Sequence, residues 1–128
     1  MKLIKSLFVI AGITALASCA KPSEKAAGTY NGTAVVNSTS YSGTSIVTAN
    51  GDNKVNIQTT ANSVTYTVND VNVSLSNDVA SFTYTSSTTT SGAVTALTGN
   101  VTGNNITLAY TIMLANPITY PIAFTGTK

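Results

Sequence analysis

Asp52, Asp70 and Asp78 are the carboxylates in the body of the chain, and each adjoins an asparagine, in "NGDN" (50–53), "ND" (69–70) and "ND" (77–78). Carboxylates can trade a proton, activate water or hold calcium, but each of those tasks needs company: a second acid or base, or six or more oxygens around the metal. The chain has no histidine and no tryptophan, its cations are all lysines, and Cys19 is its single thiol. Aspartate beside asparagine or glycine bonds its own backbone and tolerates left-handed φ, so all three read as turn formers. No catalytic residue, no metal-ligand set and no cofactor is therefore expected, and the protein is read as not an enzyme.

The second group with chemical content is aromatic. Tyr30, Tyr66, Phe82, Tyr84, Tyr110, Tyr120 and Phe124 fall on the apolar side of an alternating pattern, whereas Tyr41 falls off it. Rings gathered on one side can line a cavity for a small apolar ligand, stack on a sugar, or pack as a core. The elements that carry them are strands. In "NNITLAYTIML" (104–114), Ile106, Leu108, Tyr110, Ile112 and Leu114 share one face, and Thr107, Ala109, Thr111 and Met113 the other. A period of two marks a half-buried strand. The same period runs through Tyr30, Gly32, Ala34 and Val36; Val55 and Ile57; Val64, Tyr66 and Val68; Val71, Val73 and Leu75; Ala80, Phe82 and Tyr84; and Ile118, Tyr120, Ile122 and Phe124. Abundant threonine and valine favour pleated strands over helices.

Turn signals separate these runs at 50–53, 69–70, 77–78, 85–92, 103–105 and 115–117. Connections this short join antiparallel neighbours. The spacing predicts eight or nine strands, near 29–37, 41–49, 54–60, 63–68, 71–76, 79–86, 93–102, 105–114 and 118–127. A one-sided meander of that length must close on itself to cover its apolar face and its edges. The expected fold is all-β: a small antiparallel up-and-down β-barrel of about eight strands. A β-sandwich is the alternative, disfavoured because sandwiches need long crossing connections. A membrane-spanning barrel is disfavoured by segments as short as 71–75. The interior of an eight-stranded barrel is filled by side chains or holds one small ligand.

The N-terminus carries a different message. Lys2 and Lys5 precede the apolar run "SLFVIAGITALAS", which is too short to span a bilayer and ends at Cys19. Leu16, Ala17 and Ser18 before Cys19 resemble the lipobox of bacterial lipoproteins. In that family a peptidase cuts before the cysteine, which is then acylated, and each buried methylene contributes about 0.8 kcal/mol to membrane attachment. The resemblance implies a signal peptide over 1–18, a lipidated tether over 19–27 and a folded domain over 28–128. "AKPSEKAAG" (20–28) is polar, small and aperiodic, as a tether would be.

Beyond residue 18, Lys21, Lys25, Lys54 and Lys128 balance Glu24, Asp52, Asp70 and Asp78. Without a basic patch, nucleic acid is excluded as a partner. "AAGTYNGTAVV", "TGNVTGNNITLAYTI" and "PIAFTGTK" resemble the calycin-like (lipocalin-like) β-barrel lipoproteins of gut Bacteroides and their relatives. That resemblance implies a small barrel held by lipid in the outer membrane of a Gram-negative bacterium. "AKPSEK", with Glu24 alone, leans towards the periplasmic face without deciding it against the cell surface. Gly28, Thr29 and Tyr30 resemble the Gly-x-Trp opening of lipocalins, with Tyr30 as a core plug at one barrel end. The arginine that packs on that tryptophan has no equivalent, and Lys128 is the only cation near the last strand. The expected function is a non-enzymatic, lipid-anchored envelope barrel that binds a small hydrophobic ligand. The alternative is an interaction protein with a filled core, contacting an envelope partner or glycan through its Thr-rich exterior.

Overall fold

The computed structural model describes residues 21–128; Leu16, Ala17, Ser18 and Cys19 lie outside the described residues. A short helix, α1 (Pro22–Ala26), precedes eight strands: β1 (Gly28–Val36), β2 (Thr39–Ala49), β3 (Lys54–Ala61), β4 (Val64–Ser76), β5 (Val79–Thr85), β6 (Val94–Thr102), β7 (Asn105–Ala115) and β8 (Ile118–Thr127). Each strand pairs antiparallel with the next, and β1 pairs with β8, so the sheet is a closed up-and-down barrel. The sandwich alternative is thereby excluded. Three connections are two-residue turns with both φ values positive: Asn37 and Ser38, Asn62 and Ser63, Asn77 and Asp78. Their handedness matches the twist of the strands they join, which pins the register.

The strand count settles at eight because 63–68 and 71–76 are one strand. "ND" at 69–70 is a bulge rather than a turn: β3 opposes Ile57 to Val68 but Val55 to Val71, so Asn69 and Asp70 share one partner position. Asp70 takes φ 58°. Its amide donates to Asn56 Oδ1 at 3.1 Å, and its Oδ1 accepts from Asn50 Nδ2 at 2.7 Å. The extra residue flips the alternation, so Val68 and Val71 both point inward and are buried.

A second irregularity, between Met113 and Ala115, corrects the reading of β7. Met113 is buried, while Leu114, expected on the inner face, is 55 % exposed. Val64, Leu75 and Ile118 likewise project beyond the packed interior at strand ends. Inside, large and small side chains interlock. A Cβ on Gly126 would stand 2.8 Å from the Phe124 ring and one on Gly43 3.5 Å from it. Gly126 leaves the space that Phe124 occupies, whereas at Gly43 it is the Thr60 carbonyl, 2.9 Å away, that a Cβ would meet.

Candidate functional site

The barrel has two unlike ends. At one lie the turns 50–53, 77–78 and 103–104 with both ends of the described chain; at the other lie 37–38, 62–63, 86–93 and 116–117. The first end is closed by α1. Pro22 opens this helix, Glu24 stands in its first turn and Lys25 in its last, each favourable to a helix start or finish. Five residues do not hold a helix alone. Tertiary contacts do: Ser23 and Ala26 are buried, and the Ser23 amide donates to Asp52 O at 3.1 Å. The segment expected to be an aperiodic tether is therefore partly a plug.

Tyr30 meets this plug from inside. Its hydroxyl donates to Ala26 O at 2.8 Å, its ring is fully buried, and burial raises its pKa. Lys128 Nζ sits 5.3 Å from the Tyr30 ring centroid and donates to Ala27 O at 3.0 Å. Lys128, noted in the sequence as the only cation near the last strand, thus stands over the Tyr30 ring, arriving from the far end of the sequence. Lys21 and Asp52 pair at 3.1 Å on the surface, and Asp52 raises the Lys21 pKa by hydrogen bond and charge. Such exposed pairs contribute little stability.

At the other end stand Tyr41, Tyr66, Tyr84, Tyr110 and Tyr120. Tyr41 joins them because β2 pairs it with Ala34, on the inner face; it packs against the core, contrary to the sequence expectation. Below the mouth runs a buried hydroxyl chain: Ser45 to Thr59 at 2.6 Å, and Thr59 to the Tyr110 hydroxyl. The Tyr66 and Tyr110 rings lie 6.3 Å apart, tilted by 40°. Burial, opposed by the Thr59 hydroxyl, pushes Tyr110 up to about 12. Burial first, then the Tyr120 hydroxyl, push Tyr66 up to about 12. Both are neutral phenols at any physiological pH, able to donate or accept hydrogen bonds but not to act as bases.

The seven predicted rings do not surround one cavity. Tyr30, Phe82, Tyr110 and Phe124 are packed core, each no more than 2 % exposed. Tyr66, Tyr84 and Tyr120 instead reach the mouth. Tyr66 and Tyr84, with Thr65, Thr67, Ser86 and Thr88, line a cleft of about 310 Å³ between β4 and the loop 86–93. Tyr120 lines a second, of about 260 Å³, with Val36, Asn37 and Leu114. The sequence signal that distinguishes the two groups is position along the strand: Tyr41, Tyr66, Tyr84 and Tyr120 are each within three residues of a strand end facing the mouth.

Charge separates the ends as sharply. Among the described residues, Lys21, Glu24, Lys25, Asp52, Lys54, Asp78 and Lys128 all sit at or beside the closed end. Asp70, halfway up β4, is tied by Asn50 towards that same end. Among the described residues, the mouth carries no ionisable group other than tyrosine. The three aspartates are apart from one another, in a bend, a bulge and a turn. Among the described residues no group of three or more His, Cys, Asp or Glu side chains gathers at one place.

No family model and no curated protein matches the chain. Among solved structures it is similar to the crystal structure of a protein described as a putative outer membrane protein from Bacteroides fragilis, with a TM-score of 0.69 and 21 % identity. The match covers 85 % of this chain and 53 % of that one, so the chain spans about half that protein's length. At this identity the likeness concerns the barrel fold.

Proposed function

We propose that the protein is a non-enzymatic, lipid-anchored barrel of the cell envelope whose core is filled and whose binding face is the open, uncharged end. The observation that carries this reading is the division of the barrel. The chain enters at the closed end beside α1, so an acyl group on Cys19 would hold that end to the membrane and present the tyrosine mouth away from it. The lipobox-like run Leu16, Ala17, Ser18 and Cys19 supports the anchor. The barrel shared with a protein described as a putative outer membrane protein supports the outer membrane of a Gram-negative bacterium. The Lys128 cation over Tyr30 supports kinship with calycin-like barrels. The packed interior favours the interaction protein over a carrier with an internal ligand cavity, and a ligand then meets the half-buried rings Tyr84 and Tyr120.

Two measurements test the reading. Cys19→Ser is expected to move the chain from the membrane fraction to the soluble fraction; unchanged membrane retention refutes the anchor. A thermal-shift screen of the processed chain against fatty acids, bile acids and haem-like compounds locates the binding face. A ligand at a hundred times its Kd stabilises the folded state by about 2.7 kcal/mol. A shift abolished by Tyr84→Ala or Tyr120→Ala supports the mouth. A shift that survives both and disappears with Ala34→Leu relocates binding to the interior and overturns the filled core.

A further inference from the structure

β4 runs for thirteen residues, Val64–Ser76, yet β5 pairs only with its lower part, from Asn72↔Thr83 to Ser76↔Val79. Above the Asp70 bulge, β4 is bonded to β3 alone, and the chain after Thr85 leaves the sheet as the loop 86–93. The register identifies which main-chain groups are left over. Ala61 and Val64 flank a two-residue turn and form its bonded pair, so bonded pairs recur at Thr59↔Tyr66 and Ile57↔Val68. Thr65 and Thr67 therefore turn their N–H and C=O away from β3, towards the gap. They line the cleft of about 310 Å³ that faces Ser86 and Thr88 across it, with Tyr66 and Tyr84 between.

Much of the loop's main chain is turned to bonds other than with β4. Its Ser86 amide donates to Thr95 O at 2.8 Å, Gly92 to Met113 O at 2.7 Å, and Thr88 and Thr90 to the hydroxyls of Ser86 and Thr88. What enters the cleft thus meets strand N–H and C=O groups about 7 Å apart along β4 on one wall, hydroxyls on the other, and phenol rings between. A purely apolar ligand would cover those main-chain groups without bonding them, at a cost. A charged ligand would find no counter-charge. An added peptide strand needs a long open edge, and here the loop bounds it. A molecule with neutral hydroxyls and an apolar ring face satisfies all three surfaces.

Resting on the reading of the open end as the binding face, we propose that this cleft is a subsite for a neutral carbohydrate, one sugar ring stacked on Tyr84 and bonded to Thr65, Thr67 and Thr88. The test titrates the processed chain, extracted from membranes in detergent, with cellohexaose, xylohexaose, maltohexaose and mannohexaose by calorimetry, with amide exchange followed in parallel. At least one is expected to bind saturably, to slow exchange at Thr65 and Thr67, and to lose affinity at least tenfold with Tyr84→Ala and severalfold with Thr88→Val. In the free protein the Thr65 and Thr67 amides are expected to exchange faster than those of Tyr66 and Val68; equal protection removes the free edge and overturns the proposal. So does the absence of binding by all four oligosaccharides, or binding indifferent to Tyr84→Ala. If a (Thr-Val)3 peptide protects the two amides and the sugars do not, the carbohydrate assignment falls while the open end stands as the binding face. If instead ligand responses follow Ala34→Leu alone, the open-end reading falls with it.

Discussion

The two ends of this barrel use the same residue for opposite purposes. At the closed end a single tyrosine, Tyr30, is wholly enclosed, hydrogen-bonded to the helix beneath it and capped by Lys128. At the open end several tyrosines crowd together, and those nearest the rim keep part of their rings in solvent. One end is finished as core; the other is left as surface. A phenol with an apolar body and a polar tip suits either role, and the surroundings decide which.

The most severe way to break this contrast is to truncate the enclosed ring. Tyr30→Ala is expected to cost about 3–5 kcal/mol, the range for large aromatic rings removed from cores, and to loosen α1, which loses its hydrogen bond at Ala26. Urea denaturation measures it; a cost below about 1 kcal/mol would mean that the closed end is not core. An intermediate effect concerns the half of the barrel nearer the mouth. Tyr66 and Tyr110 stand near 12 against an ordinary value of 10. Below pH 10 both are neutral in the folded and unfolded chain, and stability is complete. Between 10 and 12 the unfolded chain ionises while the folded one does not, so stability drains away as pH rises through the folded values. Tm is expected to fall steadily over that window, with tyrosinate absorbance from these two rings appearing only as the barrel opens; early ionisation without loss of structure would contradict their burial. The smallest effect sharpens the comparison: Tyr84→Ala is expected to cost about 1–2 kcal/mol, well below Tyr30→Ala, since only part of its ring is packed against the core. A loss as large as that of Tyr30→Ala would place Tyr84 in the core.

Much of the barrel can be read from the alternation of Ile106, Leu108, Tyr110 and Ile112, because a period of two has one structural meaning when one side is buried. The bulge at Asn69–Asp70 was visible too, as the change of parity between Val64, Tyr66, Val68 and Val71, Val73, Leu75. That change has the same appearance as two strands with a turn between, and only the pairing with Asn56 distinguishes them. Leu114 shows the same weakness at a strand end, where it is the inserted residue and leaves the inner face. The helix at Pro22–Ala26 was illegible for another reason: five residues carry no period, and their structure comes from the barrel they cover. The meeting of Lys128 with Tyr30 spans nearly the whole chain, and no local pattern encodes it. The rings of the candidate site other than Tyr41 were named from sequence, but their division between core and mouth depends on height within the barrel, which closure alone fixes.

The confinement of charge to the closed end has a kinetic side. At physiological salt a charge is felt over about 8 Å, and the mouth is separated from most of the lysines and aspartates by the greater part of a strand, at about 3.3 Å per residue. Encounters there proceed without electrostatic steering, at the roughly 10⁵–10⁶ M⁻¹s⁻¹ of neutral partners. Capture at this end, as proposed, would be slow to find its target and indifferent to the ionic strength of the medium. A face of this kind keeps the same affinity in dilute and in concentrated salt, and owes its selectivity to how long a partner stays.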